Sequence, residues 1–280
     1  MLKRLFVSIA PLALVSCATL PAETAPPTDV GTVASADPRA AEAGMEMLRQ
    51  GGSATDAAIA TMLALTVVEP QSSGIGGGGF MLRGLPDGSV ESFDGRETAP
   101  AAAGADWFLD TEGKAKSYRD VVLTGLSVGV PGNVALAKLA HDKYGKLPWA
   151  ALFAPAIRLA DEGFLMNPRL NGSLEGNIDR AGADPLMRAT FYTEAGDPRP
   201  VGTRILRPEL AASLRAIAAQ GPEAMYGAEP AAELAATVAA ATPLAAGMTP
   251  SDVSSYRARE RAPVCGIYRS YRICGMGPPS

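Results

Sequence analysis

Apolar side chains recur along this chain mostly at helical spacing, several of the runs with proline near the start and glycine just after the end. Ala40, Ala43, Met47 and Leu48 share one face, Asp37 precedes them as an N-cap, Pro38 fits the first helical position and Gly51 marks the stop. Ser53 with Asp56 three positions on has the form of a capping box. Residues 57–68 after it are almost uniformly apolar, which predicts a helix buried on most sides, limited by Pro70. The period then shortens to two. Residues 80–83 and 90–93 read as strands joined through Pro86-Asp87-Gly88, so a hairpin follows the buried helix. Further helices are predicted at 131–144, 148–162 and 208–220, each with proline near its start and glycine at its end. Residues 167–188 are polar, carry glycines and show no period, and read as a long loop. Thr249-Pro250-Ser251-Asp252 forms another capping box ahead of a terminal strand pair. Helices outnumber strands, the two occur in mixed order and no internal repeat is visible, so the class is α+β and helix-rich.

The first residues read as an address. Lys3 and Arg4 precede an apolar run, residues 5–15, too short to span a bilayer, which is the layout of a secretory signal peptide. Its end, Leu14-Val15-Ser16-Cys17, resembles the bacterial lipobox, whose cysteine is diacylated; the alternative is ordinary cleavage after Ala18, with Ser16 and Ala18 as the small residues. The expected organisation is a lipoprotein-type signal peptide over 1–17, a Pro- and Ala-rich flexible tether over 18–30, and one domain over 31–280. Export to the periplasm follows, with the membrane reached through a lipid anchor at Cys17 rather than a span. Cys265 and Cys274 flank a segment that closes as a hairpin if Arg269-Ser270 is its two-residue turn. Tyr268 then faces Tyr271, Ile267 faces Arg272 and Cys265 faces Cys274. A disulfide is feasible in that register and permitted by export; two unpaired strand cysteines are the alternative, because Arg-Ser is a poor turn pair.

Composition narrows the chemistry. The 280 residues are 47% apolar and 19% charged, which is globular material. The net charge is −4 and no Lys or Arg run forms a basic stripe, which argues against a nucleic-acid partner. His141 is the single histidine, so His-based metal sites are not expected and a Ser-His-Asp relay would depend on one residue. It lies one step off the Leu136, Leu139, Ala140 stripe and next to Asp142, and reads as a solvated helix residue.

Two clusters carry candidate function. Gly74, Gly76 and Gly79 satisfy G-x-G-x-x-G, with Asp94 at a plausible distance for a ribose contact. A dinucleotide fingerprint needs a strand before the glycines and a helix after them, and here the order is reversed, so no nucleotide or other cofactor is expected. The glycines are better suited to positive φ angles and close backbone packing beside a site, anchored by Ile75 and Phe80. The second cluster is Phe93-Asp94-Gly95-Arg96-Glu97-Thr98-Ala99-Pro100, at a strand end. The planar fork of Arg96 can grip a carboxylate with two parallel hydrogen bonds; equally, Arg96 can pair with Asp94 or Glu97 inside the chain.

Seven blocks, taken in order, resemble the start of a gamma-glutamyltransferase. They are Val33-Ala34-Ser35 with Asp37-Pro38; Gly51-Gly52-Ser53-Ala54-Thr55-Asp56-Ala57-Ala58; the glycine-rich stretch 68–80; Arg96-Glu97-Thr98-Ala99-Pro100; Val128-Gly129-Val130-Pro131-Gly132; Gly221-Pro222-Glu223-Ala224-Met225-Tyr226-Gly227; and Met276-Gly277-Pro278-Pro279-Ser280. The resemblance runs from about Val33 to Ser280.

It implies an N-terminal-nucleophile hydrolase, a layered αββα precursor that cuts itself. The new N-terminal threonine then attacks the gamma-glutamyl amide of glutathione or a related compound, with its own amine as base, so no imidazole is required. The acyl group passes to water or to an amine. Arg96 matches the arginine that holds the donor α-carboxylate. The nucleophile, the residues that bind the glutamyl amino group and the oxyanion donors belong to the family's second half, past the Pro-Pro-Ser stretch, so no catalytic residue is named here. The resemblance thus describes an incomplete layered fold, inactive alone, whose partner is the missing C-terminal catalytic half. Two other readings stay open: a glutaryl or cephalosporin-type acylase relative, and a non-catalytic envelope lipoprotein remnant of such an enzyme.

Overall fold

A computed structural model describes residues 31–244 and 246–278. The expected signal peptide, Cys17 and the tether to residue 30 lie outside the described residues.

The chain opens with helices α1 (Pro38–Arg49) and α2 (Ala54–Val68), packed against each other. Ser53 and Asp56 form the expected capping box at the start of α2, and from 57 to 68 only Ala58 is exposed. Strands β1 (Gly79–Gly84) and β2 (Val90–Gly95) then form the expected hairpin, pairing Gly79 with Gly95 and Phe80 with Asp94. A one-turn helix, α3 (Tyr118–Val121), belongs to a satellite cluster with Trp107 and Leu126; the Trp107 indole donates to the Leu126 carbonyl at 2.9 Å. Helix α4 (Asn133–Tyr144) follows.

The helix predicted over 148–162 is divided. Residues 149–153 form a 3-10 turn and α5 (Ala154–Asp161) begins after it. Pro155 has no N–H to give to the carbonyl of Ala151, so one continuous α-helix cannot run through it.

The loop expected at 167–188 is a second correction. After the short strand β3 (Phe164–Leu165) come three helices: α6 (Pro168–Leu174), α7 (Ile178–Ala181) and α8 (Pro185–Phe191). Asn167 caps α6 by accepting from Leu170 N at 2.7 Å, and Asp184 caps α8 by accepting from Met187 N at 2.8 Å. Each is followed by proline, the same signal as Asp37-Pro38. With seven residues or fewer, these helices are too short to show a period, yet they bury Leu170, Leu174 and Phe191.

Strand β4 (Arg204–Ile205) pairs with β3, and α9 (Pro208–Gln220), α10 (Glu223–Tyr226), α11 (Ala228–Ala240) and α12 (Pro250–Ser254) complete the helical part. Three strands close the chain: β5 (Arg259–Arg261), β6 (Val264–Tyr268) and β7 (Tyr271–Gly275). The sheet order is β1-β2-β5, with β3-β4 and β6-β7 as separate pairs, all antiparallel. The class is therefore mixed helix and strand. One core joins the inner faces of α1, α2, α4, α5, α6, α9 and α11 with Phe191 and Tyr192.

In the last hairpin Arg269 takes φ +55° at the turn and the register sets Tyr268 against Tyr271, Ile267 against Arg272 and Cys265 against Cys274. The two cysteines are disulfide-bonded, with Cα atoms 4.1 Å apart. Ile267 and Tyr271 are 73% and 69% exposed, so this hairpin is not packed into the core.

Asp37 links α1 to α6. Its carboxylate accepts from Arg39 Nε at 2.8 Å, Arg39 Nη2 at 2.6 Å and Asn167 Nδ2 at 3.1 Å, besides capping α1 through Arg39 N. Burial by itself raises this carboxyl's pKa, but the hydrogen bonds and charge of Arg39, with Asn167, outweigh it and hold the group below the usual carboxylate range. A depressed folded-state pKa gives stability that is present above the unfolded-state value and lost as pH falls through the folded one. Asp37→Asn should therefore lower unfolding free energy by about 1–2 kcal/mol at neutral pH. That deficit should shrink as pH drops below about 4. Urea melts at pH 7 and pH 3 check both parts; an equal deficit at the two pH values would refute the linkage.

Candidate functional site

The glycine-rich stretch lies between α2 and β1, the helix-then-strand order that argued against nucleotide binding. Its carbonyls accept from the start of α4, and one of its amides, Gly77 N, is spent inside the loop on Gly74 O at 3.2 Å. Gly77 O accepts from the amides of Gly132 and Asn133 at 2.9 and 3.0 Å, and Asn133 Nδ2 donates to Gly74 O at 2.9 Å. The loop thereby occupies the N-terminus of α4, where a phosphate would otherwise be received.

The expected positive φ angles are absent: none of Gly74, Gly76, Gly77, Gly78 and Gly79 adopts one. Close approach is what these positions require. A Cβ on Gly78 would sit 2.6 Å from both Gly95 O and Glu97 N. A Cβ on Gly132 would overlap the Gly95 carbonyl and come within 2.5 Å of the Tyr256 hydroxyl. The end of β2 is thus packed from two sides by backbone that has no room for a side chain.

Arg96 follows directly. Its side chain is 45% exposed and lines a cleft of about 370 Å³ with Asp94, Thr98, Asp252, Tyr256 and the arginines at 257, 259 and 261. Of the two internal partners open to it, Glu97 is the one it meets, with Nη1 2.9 Å from Glu97 Oε2; the same nitrogen donates to Gly78 O at 3.3 Å. The Glu97 contact is close but not aligned as a hydrogen bond, for Oε2 accepts none among the described residues. Asp94 is taken instead by Arg261, whose Nε donates to Oδ2 at 2.6 Å, while its Oδ1 accepts the Arg96 amide at 2.9 Å. Among the described residues the side-chain hydrogen bond and the ion pair of Arg96 therefore run through Nη1, and Nε and Nη2 donate no hydrogen bond. Those two nitrogens form one edge of the guanidinium fork, the edge that takes a carboxylate bidentately.

The Arg96 peptide is held from the far side as well. The Tyr256 hydroxyl donates to Arg96 O at 2.7 Å, and its ring stacks on Tyr226 with centroids 5.9 Å apart. Tyr226 in turn donates to Pro131 O at 2.9 Å. Burial, with the negative charges of Asp94 and Glu97, pushes the Tyr256 hydroxyl pKa up to about 12, so it remains a donor at neutral pH. Asp252, predicted as a capping residue, also accepts the Ala101 amide at 2.9 Å and pins the loop after Arg96. Sequence reasoning missed Tyr256, Arg257, Arg259 and Arg261 as site residues. The strand β5 that delivers two of them is three residues long and charged throughout, so no alternation marks it.

His141 is not the solvated residue expected. Its side chain is 13% exposed, Nε2 donates to Leu147 O at 2.8 Å, and its ring meets Trp149 edge-on at 5.4 Å. The chain after Gly145 folds back over the end of α4 and covers it. Asp142, its neighbour in sequence, pairs with Lys138 instead. His141 does not line the Arg96 cleft. Among the described residues no group of three or more His, Cys, Asp or Glu side chains could hold a metal ion.

The family model described as gamma-glutamyltranspeptidase matches residues 40–280. The chain belongs to the gamma-glutamyltranspeptidase family. It is 38% identical over 255 residues to the glutathione hydrolase proenzyme of Escherichia coli K12, covering 89% of this chain and 42% of that protein. It is 39% identical over 255 residues to the acylase ACY 1 proenzyme of Pseudomonas sp. V22, covering 89% of this chain and 45% of that one. Among solved structures, the Helicobacter pylori gamma-glutamyltranspeptidase superposes with a TM-score of 0.83 at 33% identity, covering 90% of this chain and 71% of that chain. The chain thus spans about two fifths of the length of these curated relatives. Membership of the gamma-glutamyltranspeptidase family agrees with the order of the motif blocks, and the acylase relative shows that the family likeness alone does not choose the acyl group.

Proposed function

We propose that this chain is the donor-carboxylate-binding part of a gamma-glutamyltransferase or glutathione hydrolase. The observation that carries the reading is Arg96 itself, which lines a cleft at the end of a strand locked by Gly78, Gly132, Tyr256 and Asp94 and whose Nε and Nη2 make no hydrogen bond among the described residues. A guanidinium so placed orients an α-carboxylate and rejects acyl donors that lack one. In this reading the nucleophilic threonine, its self-cleavage and the strands completing a layered αββα fold come from the part of the relatives' length that this chain does not match. The described chain alone is then inactive. Export, with lipidation at Cys17, belongs to the same proposal.

The acylase reading is favoured by one observation, the 39% identity to an acylase proenzyme. The two separate by experiment. The chain is expressed together with a C-terminal portion matching the rest of its relatives, and gamma-glutamyl-p-nitroanilide is compared with glutaryl-p-nitroanilide, which lacks the α-amino and α-carboxylate groups. The gamma-glutamyl compound should react faster by at least about a hundredfold. Preference for the glutaryl compound would establish the acylase. No turnover of either by the combined protein would leave the non-catalytic remnant, and turnover by the described chain alone would overturn the placement of the nucleophile.

A further inference from the structure

The Arg96 cleft carries more positive charge than its own acids offset. In the antiparallel register Arg259 stands opposite Asp94, and Arg261 stands opposite Ser92. Side chains two apart on a strand share a face, so Arg259 and Arg261 lie on the Asp94 side and line the cleft. Glu260 between them turns the other way, to Lys143 Nζ at 2.7 Å. With Arg96 and Arg257, four guanidinium groups then line the cleft with two carboxylates, those of Asp94 and Asp252, and a third, Glu97, meets Arg96 beside it, which still leaves one positive charge unmatched.

Both acids are already committed. Asp94 uses one oxygen for the Arg96 amide and the other for Arg261 Nε, at 2.9 and 2.6 Å. Asp252 takes the Ala101 amide on Oδ1 at 2.9 Å, and the Thr249 amide and hydroxyl on Oδ2, both at 2.7 Å. Arg257 turns Nη1 onto the carbonyls of Ser254 and Tyr256, at 2.8 and 2.7 Å. Arg259 is different: among the described residues its side chain makes neither a hydrogen bond nor an ion pair, and it lies exposed one strand over from the residue that holds the Arg96 peptide. Of the four, Arg259 is thus the guanidinium with every donor open among the described residues, in a cleft with a formal excess of positive charge.

We propose that Arg259 receives a second carboxylate of the donor, so that the cleft favours gamma-glutamyl compounds bearing two or more carboxylates over those bearing one. This rests on the reading of Arg96 as the grip for the first. Two cations at separate points select a ligand by the spacing of its charges, and because both side chains are exposed, salt should screen both contacts.

The test is binding of small ligands to the full chain by titration calorimetry, with glutathione as the two-carboxylate probe and gamma-glutamylethylamide as the one-carboxylate probe. Circular dichroism serves as a folding control for each variant. The wild-type chain should bind glutathione more tightly. Arg259→Ala should weaken glutathione by roughly fivefold while gamma-glutamylethylamide is unchanged, and Arg259→Lys should restore part of the loss. Arg96→Ala should weaken both probes. If Arg96→Ala weakens both but Arg259→Ala spares glutathione, or weakens the two probes equally, this inference falls and the Arg96 reading stands. If Arg96→Ala changes neither, or the wild-type chain binds neither probe, both fall.

Discussion

Arg96→Lys, made in the chain combined with a C-terminal catalytic portion, should lower kcat/KM for gamma-glutamyl donors by roughly 30- to 150-fold, or about 2–3 kcal/mol. Lysine keeps the charge, so a loss of this size isolates the fork. The guanidinium here spends only Nη1 on the Gly78 carbonyl and the Glu97 carboxylate, and an ammonium would satisfy those two as a point charge without offering a paired edge to a ligand. If the internal Glu97 contact were the whole purpose of Arg96, the lysine variant would keep full activity and lose only a little stability, since exposed ion pairs contribute roughly 0–1 kcal/mol. Steady-state kinetics with a gamma-glutamyl anilide, alongside a thermal melt, separates the two: unchanged kcat/KM removes the carboxylate grip.

Asp56→Ala should cost about 3–4 kcal/mol of unfolding free energy, the largest stability effect expected of a single substitution at these sites. The side chain is fully buried. Its Oδ2 accepts from Ser53 N at 2.7 Å, Ser53 Oγ at 3.0 Å, Lys146 N at 2.9 Å and Leu147 N at 3.3 Å, so one oxygen both starts α2 and fastens the segment after α4 beneath it. Alanine would leave three amides in a partly buried setting without their acceptor, those of Ser53, Lys146 and Leu147, and would lose the cap of α2 as well. Denaturant unfolding with an unchanged slope reads the effect directly, and a loss below about 1 kcal/mol would mean that water replaces the carboxylate. Asp56→Asn keeps one carbonyl acceptor and should fall between wild type and alanine.

Ser53 and Asp56 were legible as a capping box because cap chemistry is local: donor and acceptor lie three residues apart. What Asp56 does for Lys146 and Leu147 was not, because those partners are about ninety positions away. The same division runs through the candidate site. A hairpin, its turn and an arginine at its exit follow from alternation and from Pro86-Asp87-Gly88. The misreadings have local causes too. Helices α6, α7 and α8 are shorter than the window in which a period shows, although Asn167-Pro168 and Asp184-Pro185 announced two of them. The helix read as starting at Pro148 is a 3-10 turn followed by α5, because a second proline, Pro155, opens a new helix start within it. His141 sat one step off an apolar stripe, and a later turn, not its own helix, covers it.

By itself the sequence determined the caps that start α1, α2 and α12, the first hairpin and its turn, that Cys265 and Cys274 could meet if the chain turns at Arg269-Ser270, and that Arg96 stands at a strand exit, since each depends on contacts within a few residues. The tertiary structure alone decided that Arg96 pairs with Glu97 rather than Asp94, that Tyr256 holds its peptide, and that β5 brings Arg259 and Arg261 beside it. These are contacts across as many as 167 residues. Coulombic attraction and close packing act through space, so a neighbour delivered by a distant strand leaves no trace in the local pattern.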